Sequence, residues 1–126
     1  MIIDCHCHAG TGDGLTGPWD TRAPLENYMH RAAQAGILRT VLFAAFHSDY
    51  RQANQEVAHL VAGHPGRLYG FAFVHPDRDR GRIHSMVHEA VSRFGFVGIK
   101  VHRMMDGLRA KSATRRARFD FPFSTM

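Results

Sequence analysis

From Ile2 to His8 the chain alternates in the manner of a short strand running straight off Met1. Period-two geometry predicts that Asp4, His6 and His8 share one face and Ile3, Cys5 and Cys7 the other. Residues 10–20 follow as loop, rich in Gly10, Gly12, Gly14, Gly17 and Pro18. Leu25, Tyr28, Met29 and Ala32 then recur at helical spacing behind Thr21 and Pro24, and Gly36 stops the pattern. Thr40–Phe46 is a continuous apolar run of strand length, the mark of a strand buried on both faces. A second helix is expected over about 51–62, carrying Ala53, Val57, Leu60 and Val61 on one side and ending at Gly63 and Pro65. Leu68–Val74 reads as a third strand. A third helix over roughly 79–94 groups Ile83, Met86, Val87, Ala90, Val91 and Phe94 and stops at Gly95. Strands over 2–7, 40–46, 68–74 and 97–102, separated by helices and repeating about every thirty residues, predict right-handed βαβ units around a parallel sheet in the order 1-2-3-4.

Beyond His102 the periodicity fails. Residues 103–126 hold few aliphatics, and the apolar Phe119–Phe123 stretch is broken by Pro122. The division expected is a folded unit over 1–102 and a basic, mostly irregular tail over 103–126, with at most a short helix near 107–117.

A length of 126 residues and an apolar content of 44% allow one domain with a real core. The net charge of +5 invites a nucleic-acid reading. However, Arg103, Arg109, Lys111, Arg115, Arg116 and Arg118 concentrate it in the tail, no folded recognition module accompanies it, and no specific nucleic-acid partner is expected. Two cysteines close together on one strand make no disulfide framework and fit a reducing compartment. No charged-then-apolar leader and no bilayer-length apolar run is present, so the expectation is a cytoplasmic protein without a membrane partner.

The chemistry sits at the strand ends. His6 and His8 stand two residues apart where the first strand opens into glycines, and two imidazoles on one face can converge on one divalent ion, zinc foremost. A zinc knuckle of Cys5, His6, Cys7 and His8 is the poorer reading, since their side chains alternate faces. Cys5 and Cys7 are expected in the core against the helices. Lys100 and His102 share a face at the end of the fourth strand and are the candidate catalytic residues, because a lysine in an apolar strand is costly unless paired or functional. His75 before Pro76 is expected to form a turn. Ser48 and Asp49 after His47 are expected to cap the second helix. His30, His59, His84 and His88 are expected on helix surfaces.

Ile3-Asp4-Cys5-His6-Cys7-His8, Val74-His75-Pro76 and Gly95-Phe96-Val97-Gly98-Ile99-Lys100-Val101-His102, in that order, resemble the amidohydrolase superfamily over about residues 1–102. More narrowly they resemble its amidohydrolase-related branch, which includes metal-dependent hydrolases and decarboxylases of the aminocarboxymuconate-semialdehyde type. The resemblance implies a (β/α)8 TIM barrel with its site at the C-terminal ends of the strands, and makes His6 and His8 first-strand metal ligands. It implies hydrolysis of an amide, lactone or ester of a small-molecule substrate. A decarboxylase on the same scaffold, or an inactive fragment or docking subunit, remain the alternatives. In some members a fourth-strand lysine bridges two metals, and in this branch the equivalent of Lys100 serves structure or substrate. A full barrel takes about 250 residues, and the family's later-strand histidines and late-strand aspartate have no counterpart here. The fold expected is therefore α/β, the N-terminal half of a barrel with four parallel strands and flanking helices. The sequence pattern fits a truncated chain whose open edges favour a homodimer.

Overall fold

The computed structural model describes residues 1–18 and 22–102. Strand β1 (Ile2–Ala9) leads to helix α1 (Leu25–Gln34), β2 (Ile37–Ala44), α2 (Tyr50–Ala62), β3 (Leu68–Phe73), α3 (Ile83–Ser92) and β4 (Gly98–Lys100). The strands form one sheet in the order β1-β2-β3-β4, and each neighbouring pair is parallel. This is the α/β architecture expected from the hydrophobic pattern, four parallel strands alternating with helices, consistent with half of a TIM barrel. Among the described residues no helix is long and apolar enough to cross a membrane. Thr21 and the helix expected near 107–117 lie outside the described residues.

Local chemistry explains where the elements begin and end. Pro24 is the N-cap of α1, where its missing N–H costs nothing. Gly36 takes a φ of 72°, which turns the chain out of α1 towards β2. Asp49 caps α2 by accepting from the backbone N–H groups of Arg51 and Gln52. Helix α3 starts at Ile83 rather than near 79, because Asp79–Arg82 is spent on turns with Gly81 at a φ of 82°. Within those turns the buried Asp79 accepts from His75 N–H and pairs with Arg82 at 2.7 Å.

The main core lies between the sheet and its helices. Cys7, Ala9, Leu42, Ala44, Leu68 and Ala72 meet Leu25, Ala53, Val57, Met86, Val87 and Ala90 there. Each large apolar side chain fully withdrawn from water contributes about 1.5–3 kcal/mol. Gly70 is buried where the Phe96 ring lies directly over it, and a Cβ at that position would collide with the ring.

The β1–β2 register shifts twice, between Ile2 and Ile3 and between Asp4 and Cys7, and the second shift reorganises the middle of the first strand. Asp4 pairs with Thr40 and Cys7 with Leu42, so Cys5 and His6 together face the single residue Val41. This is a β-bulge, and it reverses the facing of everything before it. The expectation that Asp4 shares a face with His6 and His8 is therefore corrected: Asp4 turns to the helix side, where its carboxylate accepts from Tyr28 of α1 at 2.7 Å. The bulge also corrects the expectation for Cys5, which is exposed, while Cys7 is buried in the core.

Candidate metal centre

The inner face of the sheet carries the site. Phe43 projects there from β2, opposite in facing to Leu42 and Ala44 on the helix side. The His6 and His8 rings pack edge-on against Phe43, with centroids 5.0 and 4.5 Å away and 5.4 Å from each other. Lys100 reaches the same ring from β4, its Nζ 4.9 Å from the centroid, as a cation over an aromatic face. Phe46 lies 5.1 Å from the His8 ring and 5.2 Å from His102. Phe73, 6.1 Å from both His8 and Phe43, completes an aromatic floor. The structure thus brings His6, His8, Lys100 and His102 to one end of the sheet, around rings that sequence reading treated only as strand filling. The alternation within Thr40–Phe46 held the clue, because it separates Phe43 from Leu42 and Ala44.

His8 is the most constrained of the four. Its Nδ1 lies 2.7 Å from the carbonyl oxygen of Ala44. A carbonyl only accepts, so Nδ1 carries the proton and Nε2 keeps its lone pair. Burial pushes the His8 pKa below the ordinary value of 6.5. The Ala44 bond works against that shift, and the neighbouring His6, Lys100 and His102 add to it. His8 is therefore held as a neutral imidazole with one nitrogen free, the state in which histidine binds a metal.

The other histidines have different work. His75 accepts from the backbone N–H groups of Asp77 and Arg78 through Nδ1, and so shapes the turn after β3. His47 Nδ1 accepts from Asp49 N–H and lies 3.8 Å from Asp13. Asp13 accepts from both the backbone and the hydroxyl of Ser48, which holds its carboxyl below the usual carboxylate range. Arg78 donates to the carbonyls of Ser48 and His47. These bonds join the loops after β1, β2 and β3 into one rim. His30, His59, His84 and His88 are exposed on the helices.

Two clamps set the rim without a motif to announce them. Glu56 of α2 accepts from the backbone N–H and the hydroxyl of Thr11, at 2.8 and 2.9 Å, and so holds the loop leaving β1. Asn54, also on α2 and buried, exchanges two hydrogen bonds with the backbone of Phe73, at 2.9 and 2.8 Å.

A protein-family model described as Amidohydrolase matches residues 3–119 of this sequence. The chain belongs to the amidohydrolase family. The match runs on past residue 102, where the motifs read from the sequence end. Comparisons with curated proteins and with solved structures give no match.

Amidohydrolases are generally metal-dependent, and the donor set of this amidohydrolase chain fits a divalent ion in part. A neutral His8 with a free Nε2, fixed from behind by a carbonyl, stands beside His6. Among the described residues no three His, Cys, Asp or Glu side chains are grouped to hold a metal. Catalytic zinc usually has three protein ligands, so the described residues supply an incomplete set.

Proposed function

We propose that this chain carries the first-strand and fourth-strand part of a metal-dependent amidohydrolase site acting on an amide, lactone or ester of a small molecule. The convergence of His6, His8, Lys100 and His102 on the Phe43–Phe46 floor supports this reading most. His6 and His8 would hold a divalent ion, zinc foremost, through neutral imidazole nitrogens. When bound, such a metal brings a water to nucleophilic strength near neutral pH and polarises a carbonyl. Lys100 offers a positive charge at the mouth for a carbonyl or carboxylate oxygen of the substrate. His102, two residues further along the chain, would give or take a proton. The aromatic floor excludes water beneath the reacting group and gives the apolar part of a substrate a surface to lie on.

The test is a zinc titration of the isolated chain by calorimetry, with hydrolysis followed on a panel of lactones, esters and amides. Two described ligands predict weak binding that His6→Ala/His8→Ala abolishes. Tight stoichiometric binding that survives the double change refutes the assignment. With zinc or manganese added, no turnover above background is expected, because a third metal ligand is missing from the described set. Metal-dependent turnover that disappears in His6→Ala would establish this chain as a complete enzyme and overturn the incomplete-site reading.

A further inference from the structure

We propose that Asp4 is the positioning residue of the His6–His8 pair, with Tyr28 of α1 and Thr40 of β2 holding it in place. The geometry stands on its own, and its bearing on metal binding rests on the reading of His6 and His8 just given.

An extra residue between Asp4 and Cys7 takes the His6 N–H out of the regular β1–β2 ladder. The released donor lies in an exposed stretch of the strand and takes an acceptor close by in the chain. Asp4 Oδ1 supplies the acceptor at 2.9 Å, two residues back along its own strand. This is the local side-chain-to-backbone bond by which aspartate stabilises a departure from regular structure. The other oxygen, Oδ2, accepts from the Tyr28 hydroxyl at 2.7 Å. Tyr28 has one proton to give, so the Thr40 hydroxyl, 2.8 Å away and buried, donates to Tyr28 in turn. Burial pushes the Tyr28 pKa up to about 12, which keeps this donor protonated at every ordinary pH.

The chain of bonds runs Thr40 to Tyr28 to Asp4 to the His6 backbone, crossing from β2 through α1 to β1. Its consequence is a choice of face. In a regular strand the Asp4 carboxylate would lie on the inner face beside both imidazoles. With the bulge in place it is turned away to the helix side, while the His6 and His8 rings both lie against Phe43. Losing the carboxylate leaves the bulge without its acceptor and favours a return to regular pairing. Such a one-residue slip reverses the facing of the residues it moves. His8 has its own anchor in the Ala44 carbonyl, so the loss should fall on His6.

The experiment reads ring contacts in the metal-free chain by nuclear Overhauser effects, and zinc affinity separately. The variants are Asp4→Ala, Asp4→Asn and Tyr28→Phe. In Asp4→Ala the His6–Phe43 ring contact should vanish while the His8–Phe43 contact persists, and zinc affinity should fall on the order of 10–100-fold, the usual cost of losing a partner that orients a ligand. Asp4→Asn keeps an oxygen for the His6 N–H, and its amide can donate to a Tyr28 hydroxyl turned towards Thr40, so it should restore the His6 contact and most of the affinity. A merely structural role would lower the melting temperature without separating the two rings. An Asp4→Ala protein with an unchanged His6–Phe43 contact overturns the proposal. If Asp4→Ala does not fold, Tyr28→Phe decides: it should weaken the His6 contact selectively, and an unaltered contact there is equally fatal. Absence of zinc binding in the native chain would defeat the metal reading alone, because the ring contacts still judge Asp4. Zinc binding that needs His6 and His8 but ignores Asp4→Ala would defeat the positioning role alone.

Discussion

Asn54→Ala should be among the most damaging single changes in this chain, for a reason that lies in how the sheet opens. Strands β2 and β3 pair over Thr40–Leu42 against Leu68–Gly70. Further along, Phe73 still stands in register with Lys100 of β4. In a parallel strand the N–H and C=O of one residue point to the same side. The bond from Val74 N–H to Lys100 carbonyl marks the β4 side, so the Phe73 groups point towards β2, where the ladder has ended. Asn54 fills that gap, its amide donating to Phe73 O and accepting from Phe73 N–H. It is 3% exposed, so water does not replace it easily. Alanine leaves two buried backbone groups unsatisfied at about 1–3 kcal/mol each, a loss of roughly 2–6 kcal/mol. Against a typical total of about 5–15 kcal/mol this is a large fraction. Urea unfolding should show the midpoint fall with an unchanged slope. Asn54→Asp should be at least as damaging, since it sets an oxygen against the Phe73 carbonyl. A loss below about 0.5 kcal/mol for Asn54→Ala, the range of an ordinary surface change, would refute the account. The effect reaches the candidate site, because Phe73 stacks on Tyr50 at 4.2 Å and forms part of the floor beneath His8.

Gly70→Ala should cost about 1–3 kcal/mol by driving a methyl into the Phe96 ring, as overpacking does; unfolding at the native midpoint would reject that contact. Iodoacetamide should label the exposed Cys5 and spare Cys7, whose thiol is pushed up to about 11 by burial, with the charge of Asp4 adding to it. A thiol with a raised pKa stabilises the fold fully below its ordinary 9.0 and loses that contribution as pH climbs towards 11, so Cys7 labelling and unfolding should rise together over that window. Equal labelling of both thiols at neutral pH contradicts the burial. The edge strands expose Ile2 and Ile3 on β1 and Ile99 on β4, with Val97 and Val101 beside it, so the isolated chain should self-associate in sedimentation velocity. A monomer that binds no hydrophobic dye would count against this.

Apolar runs of strand length and helical spacing, punctuated by Gly36, Gly63 and Gly95, determined the order of strands and helices and the parallel sheet, because burial against a common core leaves its mark on every element that lines it. The motifs at Asp4–His8 and Lys100–His102 likewise pointed to the family and to the end of the sheet where the candidate residues meet. Three things were decided only in the folded chain. Strict alternation placed Asp4 with His6 and His8 and sent Cys5 to the core, whereas the bulge opposite Val41 turned Asp4 to Tyr28 and left Cys5 in solvent. Nothing in the run of residues marked Asn54 as the partner of Phe73, or Ala44 as the group that fixes the His8 tautomer. The shared ring of Phe43 joins β1 to β4 across the inner face. Periodicity records only which side of an element is buried. Register, bulges and the pairing of backbone groups depend on neighbours distant in sequence, and exist only once the strands lie side by side.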